Sequence, residues 1–123
     1  MSPKSKVEVA RDHLEKAQEE ALHDDLRNAV QWSFAALEAA IDAVSEVHGI
    51  NIGEKHWRRS KAARQLHESG VFPTDLEPLH ELLNDTRKAI FYEGEDPDLG
   101  DLTIEEVLID VETAVKIAES EAK

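Results

Sequence analysis

Ala29-Val30-Gln31-Trp32-Ser33-Phe34-Ala35-Ala36-Leu37-Glu38-Ala39-Ala40-Ile41 decides the fold. Val30, Phe34, Leu37 and Ile41 recur at steps of three and four, the period that stacks side chains on one side of an α-helix. The same face continues through Val44 and Val47, so a helix is predicted from about Leu26 to His48. Trp32, Ala36, Ala39 and Ala43 widen the apolar face, which makes this the most buried helix, and the alanines let its neighbours come close. Gly49 follows as a left-handed closing residue.

Working outward, Ser5 and Glu8 have capping-box spacing, and Ala10, Leu14, Ala17 and Ala21 give a narrow stripe for a first helix, about Ser5 to His23. Asp24 and Asp25 then offer an N-cap to the second. A loop, Gly49 to Gly53, leads to a third helix, about Glu54 to Ser69, ended by Gly70. Few of its residues are apolar, which places it at the periphery, with Trp57 tucked inward. Pro73 and Thr74 open a fourth helix, with Glu77 as box partner of Thr74 and Pro78 tolerated in the first turn. Leu76, Leu79, Leu83 and Ile90 face its core side. Two glycines and a proline between Tyr92 and Gly100 break the pattern. A fifth helix starts at Thr103, boxed by Glu106, and reaches about Ser120. No strand or internal repeat is visible. The fold class is all-α: one domain, 1–123, built as an antiparallel four- to five-helix up-down bundle.

A chain of 123 residues can bury a sizeable core. It has no cysteine, which excludes a disulfide scaffold, a thiolate zinc site and a cysteine nucleophile. No apolar run is long enough to span a bilayer, and Met1 to Arg11 has no apolar signal core, so a cytoplasmic protein without membrane partners is expected. With 14 Lys and Arg against 27 Asp and Glu the net charge is −13, which opposes general coating of nucleic acid. The charge is uneven. Lys55, Arg58, Arg59, Lys61 and Arg64 cluster on the third helix, while no Lys or Arg occurs from Ala89 to Val115. Lys55, Arg58 and Arg59 share a side at helical spacing. This face, with His56, is the candidate binding surface. Its expected partner is the acidic stretch Glu93 to Asp101, within the protomer or from a second copy, rather than phosphate.

Glu20-x-x-His23 and Glu77-x-x-His80 have the spacing of paired metal ligands, but both lie in terminal turns, and no metal or cofactor is called for. Ser33 is expected to bond back to a helix carbonyl, and the six histidines to be ordinary surface groups. The most informative stretch is Leu82-Leu-Asn-Asp-Thr-Arg87-Lys-Ala-Ile-Phe-Tyr92-Glu-Gly-Glu95. A fixed cation near the end of a core helix needs an anionic partner, for which Asp85, Glu38 and Asp42 are the candidates.

The alanine- and aromatic-rich second helix, the variable helix with His56, Asn84-Asp-Thr-Arg87…Tyr92-Glu-Gly94, the acidic loop and the Thr103-Ile-Glu-Glu106 opening together resemble the HEPN superfamily of small helical domains, from about Val7 to Ala118. The resemblance implies an up-down bundle that dimerises. Its active members are metal-independent ribonucleases whose arginine, polar residue and histidine meet across the dimer. Here Arg87 and Lys88 match the first two, and Tyr92 stands at the histidine position. A phenol is a poor general base at neutral pH. The expectation is therefore a non-catalytic, homodimeric interaction module, of the kind found in toxin–antitoxin, defence or nucleotidyltransferase-associated systems, with a protein, RNA or nucleotide as partner. The alternative is a ribonuclease using Arg87, Lys88 and Tyr92. The fourth helix and the start of the Arg87 region are expected near a mainly apolar dimer interface.

Overall fold

In this computed structural model residues 3–53 and 55–122 are described. They form five helices and, among them, no strand: α1 (Pro3–Leu22), α2 (Leu26–Val47), α3 (His56–Glu68), α4 (Glu77–Glu93) and α5 (Ile104–Glu121). None of these helices is long and apolar enough to cross a membrane.

α2 lies at the centre and touches each of the other four. Its apolar stripe is buried along its length, from Ala29 and Val30 through Leu37 to Val44. On one side α1 brings Ala10, Leu14 and Ala17, all fully buried, and α5 brings Val107, Val111, Ala114, Val115 and Ala118. These two helices also contact each other. Alanines on both, Ala10 and Ala17 on α1 and Ala114 and Ala118 on α5, alternate with Leu14 and the three valines in this contact. On the other side α4 contributes Leu79, Leu83 and Ile90, and α3 contributes Ala62, Ala63 and Leu66. Polar cross-links fix the arrangement. Lys6 pairs with Glu46 at 3.3 Å, Arg11 with Glu119 at 2.6 Å, Gln18 with Glu112 at 2.9 Å, and Arg27 with Asp96 at 2.9 Å.

The ends follow local chemistry. Asp24 takes φ 57°, a left-handed geometry that Asp tolerates better than most residues, and so turns the chain out of α1. Asp25 then caps α2, its carboxylate accepting the Asn28 N–H at 3.1 Å. Gly49 has the predicted positive φ, 71°. Thr103 and Glu106 form the full reciprocal box.

Two predicted starts move. α1 begins at Pro3, so Ser5 lies inside its first turn rather than at its cap. α4 begins at Glu77, not at Pro73 or Thr74, and the Thr74–Glu77 box is replaced by Asp75, whose carboxylate accepts the Glu77 N–H at 2.9 Å. The cause is Phe72. Its ring is buried, and His67 Nδ1–H donates to its carbonyl at 2.9 Å, which ties residues 71–76 into a bend. The predicted start of α3 at Glu54 lies outside the described residues. The acidic loop after α4 is anchored: Leu99 is buried and the Thr86 hydroxyl donates to the Asp98 carbonyl at 3.0 Å.

Candidate functional site

Phe34, Glu38 and Asp42 follow one another at four-residue steps on α2 and face α3 and α4. Glu38 is the hub. Its Oε2 accepts from His80 Nε2 on α4 and from His56 Nδ1 on α3, each at 2.8 Å, and lies 3.7 Å from Arg59 Nε. A carboxylate only accepts, so both nitrogens carry their protons. The Ser60 hydroxyl is hydrogen-bonded to His80 Nδ1 at 2.5 Å, donating to it when the imidazole is neutral. Burial by itself would raise the Glu38 pKa. The hydrogen bonds from His80 and His56 and the charge of Arg59 outweigh it and hold Glu38 below the usual carboxylate range. Asp42 receives a bidentate bond from Arg59, at 2.8 and 3.1 Å. Burial nevertheless pushes Asp42 upward, with the neighbouring Glu38 charge adding to the shift.

The order Ser60–His80–Glu38 is that of a nucleophile, base and acid. Ser60 is only 2% exposed and His80 1%, so no substrate reaches the hydroxyl. The trio is a polar lock between α2, α3 and α4. His56 differs. Its side chain is 44% exposed, and with Nδ1 fixed on Glu38 it presents a positioned imidazole at the surface.

Phe34 forms the floor of the cluster. The rings of His80 and His56 lie 5.2 and 5.5 Å from it, and the Arg87 guanidinium sits 4.9 Å over it. The predicted pairing of Arg87 with Asp85, Glu38 or Asp42 does not occur. Arg87 donates to the Asn84 side-chain oxygen at 3.0 Å, and its Nε is buried without a partner. The aromatic ring supplies the electron-rich surface that a carboxylate was expected to supply. α4 continues to Glu93, which places Arg87 and Tyr92 on different sides of one helix. Tyr92 is 79% exposed and in ring contact with Phe91. Lys88 is exposed as well. The three motif residues are thus not gathered in one protomer.

The basic helix also divides. Arg59 turns inward to Asp42, while Lys61 and Arg64 reach Glu77 on α4 at 3.1 and 3.7 Å. The acidic loop is therefore not the partner of these cations inside the protomer; its Asp96 takes Arg27 from α2. Trp57 is not tucked in. It is 58% exposed, because Ser60, Ala62, Ala63 and Leu66 occupy the inward positions of α3. Glu77 and His80, spaced like metal ligands, take separate partners, and no group of three or more His, Asp or Glu among the described residues could hold a metal ion. Ser33 is buried with its hydroxyl unbonded, rather than bonded to a helix carbonyl.

His80 and Ser60 were missed as functional-looking residues, His80 because it read as one of six surface histidines. The four-residue spacing of Phe34, Glu38 and Asp42 inside an apolar stretch was the available signal. Comparison of the chain with protein-family models, curated proteins and solved structures finds no match.

Proposed function

We propose that the chain is a HEPN-like helical module that acts as a homodimer, binds a partner and does not itself catalyse. The observation that carries this reading is the fate of the motif residues. Arg87 is turned onto Phe34 and held by Asn84, while Tyr92 stands apart in solvent at the end of α4. Alternating directions of α1, α2, α4 and α5 are supported by the cross-links, with α3 outside that alternation because Glu38–His56 and Asp42–Arg59 run along α2 and α3 in the same sense. Lys6–Glu46 joins the start of α1 to the end of α2, Arg11–Glu119 the first half of α1 to the end of α5, and Glu38–His80 with Arg27–Asp96 crosses α2 and α4 in opposite senses. Such a module fits a toxin–antitoxin, defence or nucleotidyltransferase-associated system in the cytoplasm.

The second reading is a metal-independent ribonuclease built on Arg87 and Tyr92 at the dimer interface. It is favoured by the unpartnered Arg87 Nε and by His56, whose imidazole shares the Phe34 floor with Arg87. Incubation of the purified protein with a mixed RNA pool in EDTA separates the two. No cleavage is expected. Cleavage that Arg87→Ala abolishes would replace the first reading with the second. Sedimentation of a monomer at high micromolar concentration in physiological salt would refute the homodimer.

A further inference from the structure

Among the described residues, a basic and an acidic surface patch are without ion-pair partners, and they are opposite in kind. At the start of α3, Lys55 and Arg58 are exposed and have no carboxylate within ion-pair distance among the described residues, although the protein carries 13 more acids than bases. Between them lies Trp57. The Arg58 guanidinium sits 5.3 Å over its ring. On the other flank the Arg58 stem passes 3.9 Å from where a side chain at Gly53 would begin. The Arg58 side chain thus lies between the Gly53 turn and the indole, and the guanidinium and ring form one continuous surface. A shallow cleft of about 190 Å³ runs beside them, floored by Ile50 and Ala62.

The second patch is the end of α4. Phe91 is 65% exposed and touches the still barer Tyr92. Glu93 and Glu95 follow, both exposed and neither in an ion pair among the described residues. The segment beyond them is pinned by Leu99 and by the Thr86 bond, so this edge is also held in place.

We infer that these two patches dock on each other between two copies of the chain, Trp57 meeting Phe91 and Tyr92 while Lys55 and Arg58 meet Glu93 and Glu95. The inference rests on the homodimer reading and gives that dimer its contact. Inside one protomer the inward cations of α3 are spent on Asp42 and Glu77, and the loop's Asp96 on Arg27. What remains is an aromatic centre with a basic rim and an aromatic centre with an acidic rim, the anatomy of complementary halves of an interface. A net charge of −13 would otherwise drive two copies apart, so association is favoured where opposite charges face each other. A phosphate backbone would meet the same basic rim but would be repelled by the rest of the molecule. The contact joins different surfaces, and a two-fold dimer uses it twice.

The test is a charge exchange. One variant carries Lys55→Glu and Arg58→Glu, the other Glu93→Lys and Glu95→Lys. The first puts acids in the opening turn of α3 and the second puts bases at the close of α4, where the helix dipole favours each, so both variants should fold. Association is measured by sedimentation, with thermal melting as the folding control. Each variant alone should associate at least about tenfold more weakly than the parent, and an equimolar mixture should recover a heterodimer, because both of its contacts again pair opposite charges. Trp57→Gln should weaken association without any change of charge. A mixture that stays dissociated, or a reversal that leaves association unchanged, overturns the contact while leaving a dimeric module standing. A monomeric parent overturns both. Salt-sensitive binding of a single-stranded RNA oligonucleotide, lost with Lys55→Glu and Arg58→Glu while association is intact, would assign the basic face to nucleic acid instead.

Discussion

The side of α2 that meets α1 is lined by Trp32, Ala36 and Ala43, and the facing stripe of α1 is Ala10, Leu14 and Ala17. The side that meets α3 and α4 carries Glu38 and Asp42, and the facing residues are His56, Arg59, Ser60 and His80. One helix therefore serves two kinds of contact. The apolar side gains from every buried methyl group and is tolerant of small sliding, because its contacts have no direction. The polar side gains little net free energy per contact, yet each donor must find its acceptor, so it admits only one placement of α3 and α4.

The largest effect should come from opening a hole on the apolar side. Leu14→Ala should cost about 3 kcal/mol, read as a clear fall in melting temperature with unchanged denaturant slope. Glu38→Ala should cost a comparable or slightly smaller amount, about 2–3 kcal/mol, because His80 would keep a buried N–H with no acceptor. The comparison sharpens in the double variant Glu38→Ala with His80→Leu. Removing both partners should be less harmful than removing Glu38 alone, whereas a second deletion on the apolar side should add to Leu14→Ala.

Acid should act on the polar side. Glu38 is held below its ordinary range, so its contribution is complete at neutral pH and is lost as pH falls through its folded-state value. Asp42 works in the opposite sense. Burial raises it, so it weakens the fold at neutral pH, and that penalty is relieved on acidification. Glu38→Gln should therefore lower stability at neutral pH and flatten its decline on the acid side. Urea midpoints followed from neutral pH into the carboxylate range would show this, and an unchanged acid decline would refute it. The smallest effect concerns the buried, unbonded Ser33 hydroxyl. Ser33→Ala should raise stability slightly, by up to about 1 kcal/mol, read from the same midpoints.

Helices were legible because they are written locally. A capping box such as Thr103–Glu106 and a stripe such as Val107, Val111 and Val115 lie within a few residues of one another. The α4 start was misread because Phe72, buried by contacts far from Thr74 in the chain, overrode the Thr74–Glu77 signal. The polar cluster was illegible for a related reason. Glu38, His56 and His80 are brought together by three different helices, and nothing in the spacing of two lone histidines announces that one acid will hold both. Arg87 shows the limit of pairing by charge: its need was anticipated, but an aromatic face from α2 met it.

The Arg11–Glu119 pair joins residues 108 positions apart, and with it α5 closes over the first two helices of the chain. Closing a contact so distant along the sequence costs more chain entropy than closing the local contacts within each helix. The α1–α2 hairpin, joined by a short turn at Asp24, keeps the groove that α5 fills open until the last helix arrives. A chain emerging during synthesis would carry that groove uncovered until α3 and α4 have been made and α5 follows.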